Sequence, residues 1–245
     1  MGNERLRGAM TSADLSKNGL AEKVVVGPKT VERWLTQDRC PHPRIRLKVA
    51  RILGCEETYL WPELLAGARA SVASLSEIVQ IWPTRTEVPH DVWRSLMRQA
   101  NEKIQVLVYA GGFLVESLDF VNVVREKSKQ GAEIRILLGD GSHPNIQARA
   151  REEGLPSLPQ RCHSTLEYLW ETVDLPGVDI RTHHTVLYNS IYRFDDSILV
   201  NTHSYGAYAA KSPVQHLQQV QGGHLFNYYL ESFEAAWATG EPAVL

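Results

Sequence analysis

The chain has 245 residues, of which 43% are hydrophobic and 22% are charged, a length that suits two modest domains. This composition excludes a disordered tail protein, a collagen-like repeat and a disulfide-stapled mini-protein. One of the longest apolar runs, residues 104–110, is far short of the roughly 20 residues that cross a bilayer. We therefore expect a soluble, cytoplasmic protein with no export signal and no membrane partner.

The formal net charge of −2 is unevenly divided along the chain. Residues 1–55 carry 11 Lys and Arg against 5 Asp and Glu, whereas the remaining residues carry 15 against 23. This asymmetry indicates that the N-terminal part meets a polyanion. The other interpretation is a solvated basic face, and the charge alone favours neither.

Two short helices with a tight connection are predicted within residues 19–35. Apolar residues supply the contacts of the first helix and the turn: Leu20, Ala21, Val24 and Val26. Gly27-Pro28 favours a helix start, because proline at the first helical position gives up no needed N–H. In the second helix Val31 and Trp34 share one face. The polar residues of that helix are then predicted on the opposite face: Lys29, Thr30 and Arg33.

A third helix is predicted over 43–53, where apolar residues recur at helical spacing and Gly54 provides a C-terminal glycine. A short closing helix is predicted over 55–60. Several short helices within about 60 residues, the second of them basic, form the pattern of a helix-turn-helix domain. We therefore predict an all-α DNA-binding domain over 1–66.

The run LAEKVVVGPKTVERWL, followed by V-A-R-I-L-G and E-T-Y-L, resembles the lambda-repressor-like, Xre-type helix-turn-helix family over about residues 3–65. The resemblance implies a double-stranded DNA operator as partner, with base edges in the major groove read by Pro28, Lys29, Thr30 and Arg33. A contact from Arg33 or Lys29 to guanine would supply about 1–3 kcal/mol of discrimination. Phosphate contacts, which orient but do not specify, are expected from Lys17, Arg39 and Arg44. Val25 departs from the family at a turn position that often holds glycine. The alternative is a helical bundle that contacts only protein.

Residues 67–88 are predicted as a linker with a helical portion, in which dimer contacts could form. From residue 89 the sequence alternates between helices and strands, and we predict an α/β domain over 89–245. Its first elements are helices at 92–100 and 114–130 and strands at 104–110 and 133–138. Two apolar strands joined by one helix predict a parallel pair. The glycines at 111 and 112 lack the G-x-G-x-x-G spacing, so no nucleotide cofactor is predicted.

Further along, the sequence predicts a helix at 166–173, strands at 178–182, 188–194 and 198–202, and a helix at 223–237. The last helix carries an apolar stripe that we expect to pack across the sheet: Leu225, Tyr229, Phe233 and Trp237. Its Y-x-x-S-F-E-x-x-W pattern, together with R-I-L-L-G-D and F-D-D-S-I-L-V, resembles the phospholipase D family over residues 89–239. The resemblance implies a mixed sheet flanked by helices.

The working motif of that family is H-x-K-x-x-x-x-D, in which the histidine attacks phosphorus and the lysine holds the phosphate. Aligning its aspartate with Asp195 puts Tyr188 at the histidine and Ser190 at the lysine. Both the nucleophile and the cation are then absent. Aligning the histidine with His184 instead would put Ile191 at the aspartate. We therefore predict no catalytic residues.

Cysteine and histidine spacings predict no metal site and no disulfide. The three cysteines are widely spaced and include no C-x-x-C pair. The nine histidines match no metal-binding helix spacing.

The preferred interpretation is a homodimeric, cytoplasmic transcriptional regulator whose phospholipase D-like domain senses a small anionic effector or mediates dimerisation. The candidate ligand-binding residues lie at or near predicted strand ends: Tyr109, Asp140, His184, Asn189, Arg193, Asp195 and His203. The alternative is a phosphodiesterase or nuclease that the basic module guides to DNA. A further alternative is an interaction module whose second domain only dimerises.

Overall fold

A computed structural model describes residues 2–37, 39–64 and 73–245. The chain divides into two compact units, Met1–Val72 and Ala73–Leu245. The predicted boundary between residues 66 and 67 lies outside the described residues. Residues 73–88, which the sequence analysis assigned to the linker, belong to the second unit.

The described residues of the N-terminal unit form helices and no strand. The helices are α1 (Glu4–Ser12), α2 (Lys17–Val24), α3 (Pro28–Thr36), α4 (Pro43–Leu53) and α5 (Glu57–Leu60). Their core is apolar and buried, and includes Leu6, Leu20, Val31, Trp34, Val49 and Trp61. The two short helices predicted within 19–35 and the helix over 43–53 are confirmed, whereas α1 was not predicted.

Local sequence explains where these helices begin and end. The side chain of Asn3 accepts from the N–H of Leu6 at 2.8 Å and caps α1, and Ser16 caps α2 in the same way. Pro28 is the first residue of α3. Gly54 ends α4 in the left-handed region, with φ of +63°.

The second unit contains a mixed eight-stranded sheet. The strands are β1 (Ile78–Trp82), β2 (Lys103–Val108), β3 (Glu133–Gly139), β4 (Val178–His183), β5 (Asn189–Phe194), β6 (Ser197–Thr202), β7 (Val214–Gln218) and β8 (Glu241–Pro242). Their order is β1-β7-β6-β5-β2-β3-β4-β8. The pairs β2–β3 and β3–β4 are parallel and the others are antiparallel, so the predicted mixed sheet is confirmed.

Helices cover both faces of the sheet. They are α6 (His90–Gln99), α7 (Gly112–Ser117), α8 (Phe120–Lys129), α9 (Pro144–Glu152), α10 (Leu158–Leu169) and α11 (Leu225–Trp237). On one face Trp93 and Phe120 pack against β2 and β3. On the other, α11 packs through Phe226, Phe233 and Trp237, close to the predicted stripe. None of the helices in the described ranges is long and apolar enough to span a membrane.

Three predicted elements differ from the structure. The helix predicted over 114–130 is two helices, because Asp119 takes a left-handed conformation with φ of +56° between α7 and α8. The helix predicted over 166–173 covers the last turn of α10, which begins at Leu158 and ends at Leu169, and the 3-10 helix Trp170–Thr172 that follows it. β1 lies within the predicted linker, and its pairing with β7 makes it an edge of the sheet.

Candidate functional sites

The first candidate site is the exposed face of α3. Val31 and Trp34 are 0% and 3% exposed, and they fix the rotation of the helix. Lys29 and Arg33 are exposed on the opposite face, as predicted, and Thr30 is half-buried beside them. Pro28 is exposed at the start of the helix. The arrangement presents two cations and one hydroxyl from a rigid helix.

The turn before α3 has an unusual backbone. Val25 ends α2 with φ of +63° and ψ of +55°, the left-handed conformation, and its side chain is 80% exposed. A β-branched residue rarely adopts this conformation. The departure that the sequence analysis noted at Val25 is therefore a position where the fold does require a left-handed residue.

The predicted phosphate-contacting residues have different surroundings. Lys17 donates to Glu32 at 3.3 Å, which joins the start of α2 to α3. Arg39 and Arg44 are exposed. Within the described part of the chain, Lys29, Arg33, Arg39 and Arg44 form no ion pair. By contrast, Arg46 bonds to Glu57 at 2.9 Å and serves the fold.

The second candidate site is a cavity of about 380 Å³ at the carboxyl end of β2. It is called the first cavity below, and it is lined by Arg85, Tyr109, Ala110, Glu153, Gly154, Leu155, Leu158, Arg161, Ser190, Tyr192, His203, Tyr208, Ala209 and Ala210. Tyr109 follows β2, Ser190 lies near the start of β5, and His203 follows β6. Because β5 is antiparallel to both neighbours, its start lies at the same edge as the ends of β2 and β6.

A chain of hydrogen bonds fixes His203 in this cavity. Its Nε2 lies 3.0 Å from Ser190 Oγ, and its Nδ1 lies 3.2 Å from the carbonyl oxygen of Leu187. The N–H of Leu187 donates to the hydroxyl of Tyr109 at 2.8 Å, and the Tyr109 and His203 rings are stacked, with centroids 5.8 Å apart. A carbonyl accepts only, so Nδ1 carries the proton and Nε2 accepts from Ser190.

Burial controls the charge of these groups. It lowers the pKa of His203 to about 4, so the imidazole is neutral at neutral pH. It raises the pKa of Tyr109 above its ordinary value. It also raises the pKa of Glu153, although Arg149, whose Nε lies 2.7 Å from that carboxylate, acts in the opposite direction.

Two arginines supply positive charge to the first cavity. The guanidinium of Arg85 lies over the ring of Phe113, with 3.9 Å from Cζ to the ring centroid, and its buried Nε has no hydrogen-bond partner among the described residues. Arg161 projects from α10, with its Nε donating to Ser157 at 3.2 Å. Arg85, Ala110 and Arg161 also line a second cavity of about 390 Å³, which continues toward Gln160 and Ser164.

The structure separates the predicted ligand-binding residues. Tyr109 and His203 line the first cavity. Asp140 lines a different cavity, of about 520 Å³, with Gly139 and Thr182. Burial raises the pKa of Asp140, but hydrogen bonds from Ser142 lower it, and the balance lies below its ordinary value. His184 is exposed and stacks on His143, with centroids 4.3 Å apart. Asn189 is half-buried at the start of β5.

Arg193 and Asp195 lie at the opposite end of the sheet. Asp195, in the left-handed turn between β5 and β6, accepts from the backbone N–H groups of Asn101, Glu102 and Lys103 at 2.7–2.9 Å. Burial raises its pKa, but these bonds lower it below the ordinary value. Arg193 donates to the carbonyl of Asp195 and to Gln105. Both side chains join β5 to β2 and lie away from the cavity.

Three residues that line the first cavity were not predicted from the sequence: Arg85, Arg161 and Tyr208. Arg85 belongs to a single 3-10 turn, and Arg161 lies within a helix whose start was not predicted. Ser190 was considered only as the residue aligned with a lysine. It is 3% exposed, whereas Tyr188, aligned with the family's histidine, is 79% exposed. The strand period, which puts Ser190 on the same face as Tyr192 two residues later, is the signal that could have selected Ser190, since both line the first cavity.

No protein-family model matches the chain, and no curated protein matches it. Among solved structures, it is similar to TrmBL2, an archaeal chromatin protein, with 14% identity and a TM-score of 0.44 over 84% of this chain and 73% of that one. It is also similar to the phospholipase D family member Nuc from Salmonella typhimurium, with 12% identity and a TM-score of 0.45 over 68% and 97%. A phosphatidylserine synthase from Haemophilus influenzae gives 13% and 0.44 over 91% and 54%. At this level of similarity, function is argued from the residues of the chain itself.

Proposed function

We propose that the chain is a DNA-binding regulator whose second unit binds a small organic anion and performs no chemistry on it. The observation that carries the first part is the exposed face of α3. Lys29 and Arg33 lie there without ion-pair partners in the described part of the chain, and the buried Val31 and Trp34 hold that face outward. Rigid cationic donors on a helix suit the edges of guanine in a major groove.

The other cations of the N-terminal unit have a different role. Arg39 and Arg44 are exposed outside α3, so we assign them, with Lys17, to phosphate. Each phosphate contact adds about −0.9 to the slope of log affinity against log salt. A loss of Arg44 thus weakens binding to all sequences equally, whereas a loss of Arg33 weakens the operator more than random DNA.

We also propose that two copies bind one operator. Dimeric helix-turn-helix regulators place their two recognition helices about 34 Å apart, which is one turn of the DNA double helix. Each chain supplies one recognition helix, so this spacing requires a dimer. Sedimentation of the chain with an operator duplex tests this point. A complex of one chain per duplex at saturation would contradict it.

The first cavity supports the binding of an anion. Its volume of about 380 Å³ lies within the range of small-molecule sites, and Arg85 and Arg161 contribute two positive charges to its wall. His203 is neutral, so the positive charge of the cavity wall comes from the two arginines.

Binding without chemistry is supported by the strength of the base. Ser190 and His203 have the spacing of a nucleophile and its general base, 3.0 Å. However, burial lowers the pKa of His203 to about 4, and a base this weak removes a serine proton poorly. Because Ser190 and His203 still share the cavity, an enzyme that hydrolyses phosphodiesters is the second candidate function.

A fluorogenic phosphodiester separates these two functions. We expect no turnover above that of a His203→Gln, Ser190→Ala double variant. Turnover that disappears in both single variants would favour the enzyme.

The experiment that tests DNA binding is selection of duplexes from a random pool by the full chain. We expect a single enriched motif, which the Lys29→Ala, Arg33→Ala double variant fails to enrich. The matched control is Arg94→Ala with Arg151→Ala, which removes two exposed cations of the second unit. Enrichment of the same motif by wild type and double variant would contradict the proposal.

A further inference from the structure

The residues that line the two cavities sharing Arg85 and Arg161 indicate which kind of anion binds there. The first is walled by the rings of Tyr109, Tyr192 and Tyr208, together with the side chains of Leu155 and Leu158. The second is lined by the hydroxyl and amide groups of Ser117, Ser157, Gln160 and Ser164, together with the carboxylate of Glu116 and the ring of Phe113 beneath Arg85. The guanidinium groups thus lie between an aromatic compartment and a polar one.

The orientation of Arg85 favours a planar acid. Its guanidinium, a planar fork of N–H donors, is held in a cation–π contact with the Phe113 ring, with 3.9 Å from Cζ to the ring centroid. A fork of this kind matches the two oxygens of a carboxylate in one plane.

The charge of the first cavity favours a single negative charge over two. Glu153 is 7% exposed in its wall and bonds to Arg149, which leaves Arg85 and Arg161 as the cations opposing the ligand. His203 is neutral and donates its one N–H to Leu187. A phosphate dianion would face a carboxylate with few further donors, whereas a carboxylate needs only one guanidinium fork.

We propose that the ligand of the first cavity is an aromatic carboxylate, held by Arg85 with its ring against the tyrosines. Substituents on the ring that carry hydroxyl or amide groups extend past Arg161 into the second cavity. This inference rests on the proposed function, since it identifies the anion that the second unit binds.

Calorimetry on the full chain tests the inference with benzoate, 4-hydroxybenzoate, cyclohexanecarboxylate, phenyl phosphate and inorganic phosphate as probes. We expect 4-hydroxybenzoate and benzoate to bind, cyclohexanecarboxylate to bind several-fold more weakly, and inorganic phosphate not to bind. Removal of a charge-assisted hydrogen bond by Arg85→Gln is expected to weaken benzoate by about ten- to a hundredfold. Arg94→Gln, an exposed cation of the same unit, is the matched control and is expected to leave binding unchanged.

Two further variants distinguish a loss of ligand binding from a loss of folding. Arg85→Lys keeps the charge but loses the fork, so benzoate weakens while the melting temperature of the unliganded chain is unchanged. Phe113→Leu removes the ring that orients Arg85 and is expected to weaken benzoate less than Arg85→Gln does. Equal binding of benzoate by wild type and Arg85→Gln would overturn the inference.

The outcomes distinguish this inference from the function on which it rests. Tighter binding of phenyl phosphate than of benzoate, lost in Arg85→Gln, would overturn the aromatic carboxylate and leave the anion-binding cavity standing. Binding of none of the probes would overturn the aromatic carboxylate, and DNA selection by the same preparation would then report separately on DNA binding.

Discussion

Replacing Val25 by glycine is expected to stabilise the N-terminal unit. Val25 ends α2 in the left-handed region, which costs a residue with a side chain about 1–2 kcal/mol, and β-branching makes this conformation more unfavourable. The side chain is 80% exposed, so its removal sacrifices little burial. Glycine offsets part of this gain, because the greater entropy of the unfolded chain costs about 0.5–1 kcal/mol of stability. The net gain is about 1 kcal/mol, a rise of roughly 4–8 °C in the melting temperature of a domain of this size.

Gly54 provides the matched control. It ends α4 with φ of +63°, as Val25 ends α2, and a Cβ added there would meet no atom within 4 Å. Gly54→Ala therefore adds the backbone cost alone, and we expect a loss of about 1 kcal/mol.

Hydrogen exchange of the full chain measures both changes within one unit. Peptides from α3 and α4 are expected to exchange about fivefold more slowly in Val25→Gly and about fivefold faster in Gly54→Ala, while peptides from β2 and β3 stay unchanged. Faster exchange in Val25→Gly, with the expected loss in Gly54→Ala, would show that the left-handed conformation of Val25 does not destabilise the N-terminal unit.

The other predictions concern groups buried or capped in the second unit. Burial lowers the pKa of His183 and of His203 from 6.5 to about 4, so as the pH falls these histidines take up protons in the unfolded chain before they do so in the folded chain. Their contribution to the free energy of unfolding is complete above about pH 6.5 and is lost as the pH falls toward 4. Urea midpoints between pH 7 and 4 are expected to fall, less steeply in His203→Gln, and a pH-independent midpoint would contradict this. Glu77 is fully buried and accepts from two backbone N–H groups at the start of α11, so Glu77→Ala is expected to lower the free energy of unfolding in urea by about 2–3 kcal/mol. A Cβ on Gly223 would lie 2.3 Å from the Glu77 carboxylate, so Gly223→Ala is also expected to destabilise the chain. Unchanged stability in both variants would show that Glu77 does not cap α11. Asp195→Asn keeps the side-chain shape but weakens three hydrogen bonds, and we expect a loss of about 2 kcal/mol at pH 7. Because the pKa of Asp195 is lowered in the folded chain, this loss is constant above the ordinary pKa of aspartate and shrinks as the pH falls below it. An equal loss at all pH values would show that charge is not involved.

The sequence predicts the elements whose signals are local. α3 follows from Pro28 and from the shared face of Val31 and Trp34, which are three residues apart. The parallel pair β2–β3 follows from two apolar runs joined by helical sequence. By contrast, β7 (Val214–Gln218) has two apolar residues among five, too few to predict a strand. β1 follows an alanine- and serine-rich segment, and its strand conformation depends on pairing with β7.

The candidate cavity could be predicted only in part, because strand direction decides which residues meet. Tyr109 and His203 follow strands that end at the same edge, and both line the cavity. Arg193 lies near the end of β5 and Asp195 follows it, so both also belong to an apolar strand pattern. However, β5 runs antiparallel to β2, so its end lies at the opposite edge. Arg85 comes from a separate part of the chain, and no local pattern connects it to the strand ends.

DNA reading by α3 is tested by comparing an operator duplex with a scrambled duplex by fluorescence anisotropy over a range of salt concentrations. The operator is the motif enriched by selection, and the proteins are wild type, Arg33→Ala and Arg44→Ala. We predict that Arg33→Ala reduces the ratio of operator affinity to scrambled affinity about 5- to 150-fold, which corresponds to about 1–3 kcal/mol. We predict that Arg44→Ala weakens binding to both duplexes equally. It also reduces the magnitude of the slope of log affinity against log salt by about 0.9. An unchanged ratio in Arg33→Ala would contradict the claim that α3 reads DNA.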